Sequence, residues 1–120
     1  MANEKDIVRV ICEALADDIQ YFKEHANGAM QTLYEMSIMP EAYKRACFRY
    51  SVNSFASGYL SSILSEISKR QDATFAESLV RFHEHQQRTL GELGDGSQLA
   101  VGQIIVAERL RRYIERFFTA

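Results

Sequence analysis

The chain has 120 residues, of which 47% are hydrophobic and 25% charged, and its net charge is −2. These values describe one ordinary soluble domain over 1–120, and they exclude the strongly basic balance of a typical nucleic-acid-binding domain. No run of about 18 apolar residues and no basic segment before an apolar run occurs, so we expect no membrane span and no export signal. We therefore expect a cytoplasmic protein.

The first predicted helix begins near residue 4 and ends before Pro40, the single proline of the chain. Asn27 and Gly28 form a common helix stop, but the apolar spacing continues in phase beyond them to Met30. We interpret the segment as one helix over about 4–38, with two shorter helices as the alternative. Its apolar stripe consists of Val8, Ile11, Leu15, Ile19, Phe22 and Ala26.

The second predicted helix covers about 40–70 and carries many small side chains. Seven serines occur between Ser51 and Ser68, several of them at helical spacing. Serine is a mediocre helix former, so this pattern favours another requirement, such as the close approach of a second helix. A solvated hydroxyl face is the alternative. The residues that we assign to a protein-binding surface on this side are Ser54, Ser57, Gly58 and Ser61.

A third helix is predicted to begin at Thr74, because Thr74 and Glu77 have the spacing of a capping box. One polar residue, Gln86, interrupts its apolar stripe. In a helical interface such a residue can fix the register, although a position at the rim is the simpler interpretation. The stripe consists of Phe75, Leu79, Phe82, Gln86, Leu90 (or Thr89) and Leu93.

A glycine-rich loop precedes the last predicted helix, and Ser97 can cap that helix. Arg109, Arg112 and Arg116 share one of its faces, which makes nucleic-acid binding the alternative function. Nearby glutamates such as Glu108 offset much of this charge, so an ordinary salt-bridged surface is the simpler interpretation.

The sequence offers no catalytic motif and no cofactor motif. His83 and His85 point about 200° apart on a helix, so the pair lacks the spacing of metal ligands on one helix face. Cys12 and Cys47 lie among apolar helical residues, where we expect free, buried thiols. We therefore expect no enzyme, no metal site and no cofactor.

These observations predict an all-α bundle of four to five helices that is elongated and dimeric. The two N-terminal helices would be about 50 and 45 Å long, whereas a compact chain of this size has a radius of gyration of about 13–14 Å. Two further helices cannot cover them, so apolar side chains stay exposed. We expect a homodimer that binds an unidentified protein stoichiometrically, as inhibitors, anti-activators and adaptors do. The further side chains assigned to this interaction are Tyr43, Tyr50, Tyr59, Met36 and Met39.

Overall fold

The computed structural model describes residues 4–35 and 40–118, and it confirms the all-α prediction for them. The molecule measures 56 × 28 × 22 Å along its principal axes. Its elements are α1 (Glu4–Glu35), α2 (Pro40–Arg70), α3 (Ala73–Glu92), α4 (Gln98–Tyr113) and a π-helical turn (Ile114–Phe118).

Helix α1 is continuous through Asn27 and Gly28, so the prediction of one helix is confirmed. Its predicted stripe from Val8 to Ala26 is buried. One turn later Ala29 is buried and Met30 is 48% exposed, so the buried side of the helix continues through Ala29 and the predicted stripe position at Met30 is wrong. The predicted end of the helix near residue 38 lies outside the described residues.

Helix α2 begins at Pro40 and ends at Arg70, as predicted. A proline suits the first turn because a backbone N–H at that position would have no acceptor within the helix, so its absence loses no helical hydrogen bond. At the other end Gln71 has φ 53°, a left-handed conformation that stops the helix. The buried residues of α2 are Ala46, Val52, Ala56, Ser57, Leu60, Ile63 and Ile67.

Helix α3 is capped by Asp72 and not by the predicted Thr74. The Asp72 side chain accepts a hydrogen bond from the Phe75 backbone N–H at 3.1 Å. The position of the predicted stripe is also wrong. The core side of α3 consists of Ala76, Val80, Gln87 and Gly91, whereas the larger apolar residues lie further out.

Small residues bring α3 and α4 together. A Cβ on Gly91 would lie 2.6 Å from Ile104 Cδ1, so glycine permits this close approach. Helix α4 is capped by Ser97, whose hydroxyl accepts from the Ala100 backbone N–H, as predicted. Gly102 similarly allows α4 to approach Phe55 on α2.

The α1–α2 hairpin extends beyond the α3–α4 hairpin at one end. The hydrogen bond between the Tyr59 and His83 side chains shows that these residues of α2 and α3 lie at the same level of the bundle. From these residues α3 continues for nine residues, about 14 Å, whereas α2 extends back to Pro40 over nineteen residues, about 28 Å. The hairpin therefore projects roughly 15 Å past α3.

Candidate protein-binding surface

The predicted binding residues of α2 lie mostly along one side of the helix. Tyr43, Tyr50, Ser54, Ser57 and Ser61 are spaced seven, four, three and four residues apart, which places them on one face. We call Ser54, Ser57, Gly58 and Ser61 the serine face. Tyr43 and Tyr50 extend it toward the projecting end of the hairpin.

Burial differs along the serine face. Ser57 is only 8% exposed, and its hydroxyl donates to the Ser54 carbonyl oxygen at 3.1 Å. Ser54 and Ser61 are half-buried, whereas Gly58 is exposed. A Cβ built on Gly58 would meet nothing within 4 Å, so packing within the described chain does not require a glycine there.

Part of the serine pattern is explained by α1 of the same chain. Ser57, Ser61, Leu64 and Ser68 lie on one side of α2, and Ser68 Oγ is 3.8 Å from Cys12 Sγ on α1. The small side chains on this side therefore allow α1 to pack closely. Gly58, the exposed member of the serine face, is not explained by this contact.

An open groove of about 780 Å³ lies between α1 and α2 near the start of α1. The apolar part of its lining comes from Cys12, Ala16 and Leu64. Both cysteines of the chain are free and half-buried. The other residues of the groove are Lys5, Arg9, Glu13, Ser68 and Gln71.

The exposed side of α2 is uncharged over much of its length. No charged residue occurs between Arg49 and Glu66, a stretch of sixteen residues, about 24 Å of helix. Depletion of charge is typical of the centre of a protein interface. This property distinguishes the serine face from α1, whose solvent-exposed side carries residues such as Glu13, Asp17 and Glu24.

The projecting end of the hairpin exposes large apolar side chains. Met30 on α1 is 48% exposed and Tyr43 on α2 is 44% exposed. Tyr50 is half-buried. Met36 and Met39, which we assigned to the same surface, lie outside the described residues.

Tyr59 lies apart from the serine face and connects α2 to α3. Its hydroxyl is 2.5 Å from His83 Nδ1. Burial raises the pKa of Tyr59, although a hydrogen bond from Gln87 partly opposes that effect. Burial lowers the pKa of His83 and so favours the neutral imidazole, whose Nδ1 accepts a hydrogen bond from the Tyr59 hydroxyl.

The three arginines of the alternative nucleic-acid surface do not act as one exposed group. Arg109 Nη1 donates to Asp18 Oδ1 at 2.8 Å, which joins α4 to α1. Its guanidinium also lies over the Phe22 ring. Arg116 lies over the Phe117 ring, while Arg112 is exposed. At least Arg109 thus serves the packing of the bundle.

Sequence reasoning missed an exposed apolar surface on α3. Phe82 is 59% exposed, Leu90 45% and Leu93 81%, and Gln86 lies among them. The pattern did contain a signal for this. Ala76, Val80 and Gly91 form a second stripe of small residues on α3, and small residues allow the closest approach to a neighbouring helix.

Within residues 4–35 and 40–118, no group of three His, Cys, Asp or Glu side chains could hold a metal ion. His83 is half-buried against Tyr59, and His85 is exposed beside Arg88. None of the helices described is long and apolar enough to cross a bilayer. Comparisons with protein-family models, curated proteins and solved structures return no match.

Proposed function

We propose that the protein acts by binding another protein stoichiometrically, without catalysing a reaction, and that it does so as a homodimer. The binding surface is the serine face together with Tyr43 and Tyr50. Inhibitors, anti-activators and adaptors work in this way. The partner is a protein that presents a helix with small side chains on its contacting side, so that this helix can approach α2 closely.

One observation carries the proposal: an exposed glycine in the middle of an uncharged helix surface. Gly58 destabilises α2 by about 0.5–1 kcal/mol relative to alanine, yet no atom outside its own turn lies within 4 Å of the place where a Cβ would be. A partner helix that packs against Gly58 and the neighbouring serines explains this residue choice.

Tyr43 and Tyr50 support the assignment of the same surface. Tyr43 is 44% exposed beside the uncharged stretch, and Tyr50 is half-buried in line with it. Tyrosine provides a large contact area with few rotatable bonds, so it is enriched where proteins bind tightly. Met30 adds an adaptable apolar side chain at the projecting end.

The test uses affinity capture from the native cells with the wild-type protein as bait, followed by identification and titration of the captured protein. Gly58→Leu places a bulky side chain on the serine face and should abolish capture. Gly28→Leu is the matched control, because Gly28 is also a helical glycine whose Cβ would meet nothing within 4 Å.

The proposal predicts that Gly28→Leu retains the partner with wild-type stoichiometry. Equal binding by the two glycine variants would contradict the assignment of the serine face. Absence of any protein captured by the wild type above a bait-free control would contradict stoichiometric binding itself.

A further inference from the structure

The apolar residues of α3 are distributed in an unusual way. The side that contacts the core consists of Ala76, Val80, Gln87 and Gly91, three of which have small side chains. The larger apolar residues form a second stripe that is half-buried at Phe75 and Leu79 and exposed at Phe82, Leu90 and Leu93. We call Phe75, Leu79, Phe82, Gln86, Thr89 and Leu93 the outer stripe of α3, with Leu90 beside it.

We infer that a second copy of the chain docks on the outer stripe, with the two α3 helices antiparallel. This inference rests on the homodimer of the proposed function and names the surface through which the copies meet. The serine face on α2 then remains available for the other protein.

The spacing of the outer stripe suits a twofold axis. In an antiparallel pair centred on residue 84, Phe75 lies opposite Leu93 of the second copy, Leu79 opposite Thr89, and Phe82 opposite Gln86. The stripe therefore matches itself along five turns of helix, as an isologous interface requires. Gln86, the polar residue near the axis, would fix this register.

The outer stripe contains a depression that can accept Phe82 of the second copy. A depression of about 310 Å³ lies on the C-terminal half of α3, between Phe82 and Leu90. The antiparallel register brings Phe82 of the second copy onto Gln86, which lines this depression. The remaining lining residues are Phe82, His85, Thr89 and Leu90.

Charges at the two ends of the stripe are complementary. Arg70 lies over the Phe75 ring, with its Cζ 4.3 Å from the ring centroid, and places a positive charge at one end, where the exposed Asp72 also lies. Glu92 and Asp95 are exposed at the other end, on either side of Leu93 and Gly94. An antiparallel partner places Glu92 of one copy against Arg70 of the other, and the symmetry makes this contact twice.

The contact area is adequate for a weak dimer. Two helices that pair over the 20 residues of α3, about 30 Å, bury on the order of 500 Å² per copy. The total of about 1,000 Å² is the lower bound for a specific interface. We therefore expect a dissociation constant in the micromolar range.

The test compares charge reversals by sedimentation equilibrium of the full chain. Arg70→Glu and Glu92→Arg should each weaken the dimer about tenfold, because each creates two like-charge contacts. The double variant has opposite charges at both ends again and should recover to within about threefold of the wild type. Arg70 and Glu92 flank α3 from opposite ends, about 30 Å apart in one chain, so the recovery can only arise between copies.

Two further variants separate loss of the dimer from loss of the fold and from a general effect of charge. Phe82→Glu changes a side chain that is 59% exposed, so the fold should persist by circular dichroism while the dimer is lost. Lys23→Glu is the control for charge reversal, because Lys23 is exposed and belongs to α1, outside the outer stripe of α3. It should leave the dissociation constant unchanged.

A dimer that resists Phe82→Glu, or a double variant that is weaker than either single charge reversal, would overturn this interface and leave the homodimer of the proposed function intact. A wild-type chain that stays monomeric would overturn both.

Discussion

Asp18 on α1 and Arg109 on α4 form an ion pair across the bundle, with 2.8 Å between Oδ1 and Nη1. Their side chains are 18% and 24% exposed, respectively. The second oxygen of Asp18 accepts a hydrogen bond from the Tyr113 hydroxyl. A single carboxylate therefore satisfies two polar groups of α4.

Replacing Asp18 by alanine should destabilise the protein strongly. Arg109 and Tyr113 would both lose their acceptor, so we expect the free energy of unfolding to fall by about 2–3 kcal/mol. Urea denaturation measures this change. Asp17→Ala is the control, because Asp17 is the exposed neighbour and its loss should change stability by less than about 0.5 kcal/mol. Similar effects of the two variants would contradict the structural role of Asp18.

Tyr113 should make stability depend on pH in the alkaline range. Burial and the hydrogen bond to Asp18 raise the pKa of Tyr113 far above its usual value. Its contribution is therefore complete below the unfolded pKa of about 10 and is lost as pH increases toward the folded pKa. Urea denaturation from about pH 9 to about pH 11, the range in which an unfolded tyrosine titrates, should show that the free energy of unfolding falls as the pH rises. Tyr113→Phe should have a smaller slope; an equal slope would contradict this assignment.

His83 should have the opposite effect at acidic pH. Burial lowers the pKa of His83, so the native state favours the neutral imidazole that accepts from Tyr59. The stability from this group is present above the unfolded pKa of about 6.5 and is lost as pH falls through the folded pKa. Between about pH 7 and about pH 5, where an imidazole titrates, the free energy of unfolding should fall less in His83→Gln than in the wild type. The exposed His85→Gln should retain the wild-type profile; if it changes the profile as much, His83 is not responsible.

The glycines of the helices should fall into two classes. Gly28→Ala and Gly58→Ala should each stabilise the chain by about 0.5–1 kcal/mol, because alanine favours helix and nothing lies within 4 Å of the added methyl group. Gly91→Ala should destabilise it by about 1–3 kcal/mol, because its Cβ would lie 2.6 Å from Ile104 and 3.1 Å from the Ala100 carbonyl oxygen. Thermal unfolding ranks the three variants. A stabilising Gly91→Ala would show that α3 and α4 are less closely packed than described.

The N-cap of α3 should contribute measurably to stability. Asp72→Ala should lower stability by about 1 kcal/mol, because the Phe75 N–H loses its acceptor. Thr74→Ala should have little effect, since Thr74 is exposed inside the first turn. A larger loss for Thr74→Ala would restore the capping box that the sequence suggests.

Much of the fold follows from local patterns. The α1 stripe from Val8 to Ala26 is predicted residue by residue, because one long amphipathic helix has a single apolar side. Pro40 and Ser97 mark helix starts for local reasons of backbone geometry and hydrogen bonding. Such features depend on residues within one or two turns.

The errors arise where a helix has more than one candidate side. On α3 the periodicity is strongest for Phe82 and Leu93, yet Ala76 and Gly91 lie nearest the core, because close packing against α4 requires small side chains. Helical spacing identifies stripes, but it does not say which stripe contacts the same chain and which is left for a partner.

Contacts between distant residues were beyond sequence reasoning. Asp18 and Arg109 are 91 residues apart, so the sequence showed Arg109 only as one of several arginines on a helix face. The separation of Tyr59 from the serine face depends similarly on how α3 crosses α2, which places His83 against it.

Sedimentation equilibrium of the wild-type chain from about 1 to 100 µM, the range of a weak interface, tests the central claim most directly. The account predicts that the apparent mass rises with concentration from 13.7 kDa toward twice that value. A mass that stays at 13.7 kDa throughout would contradict the homodimer.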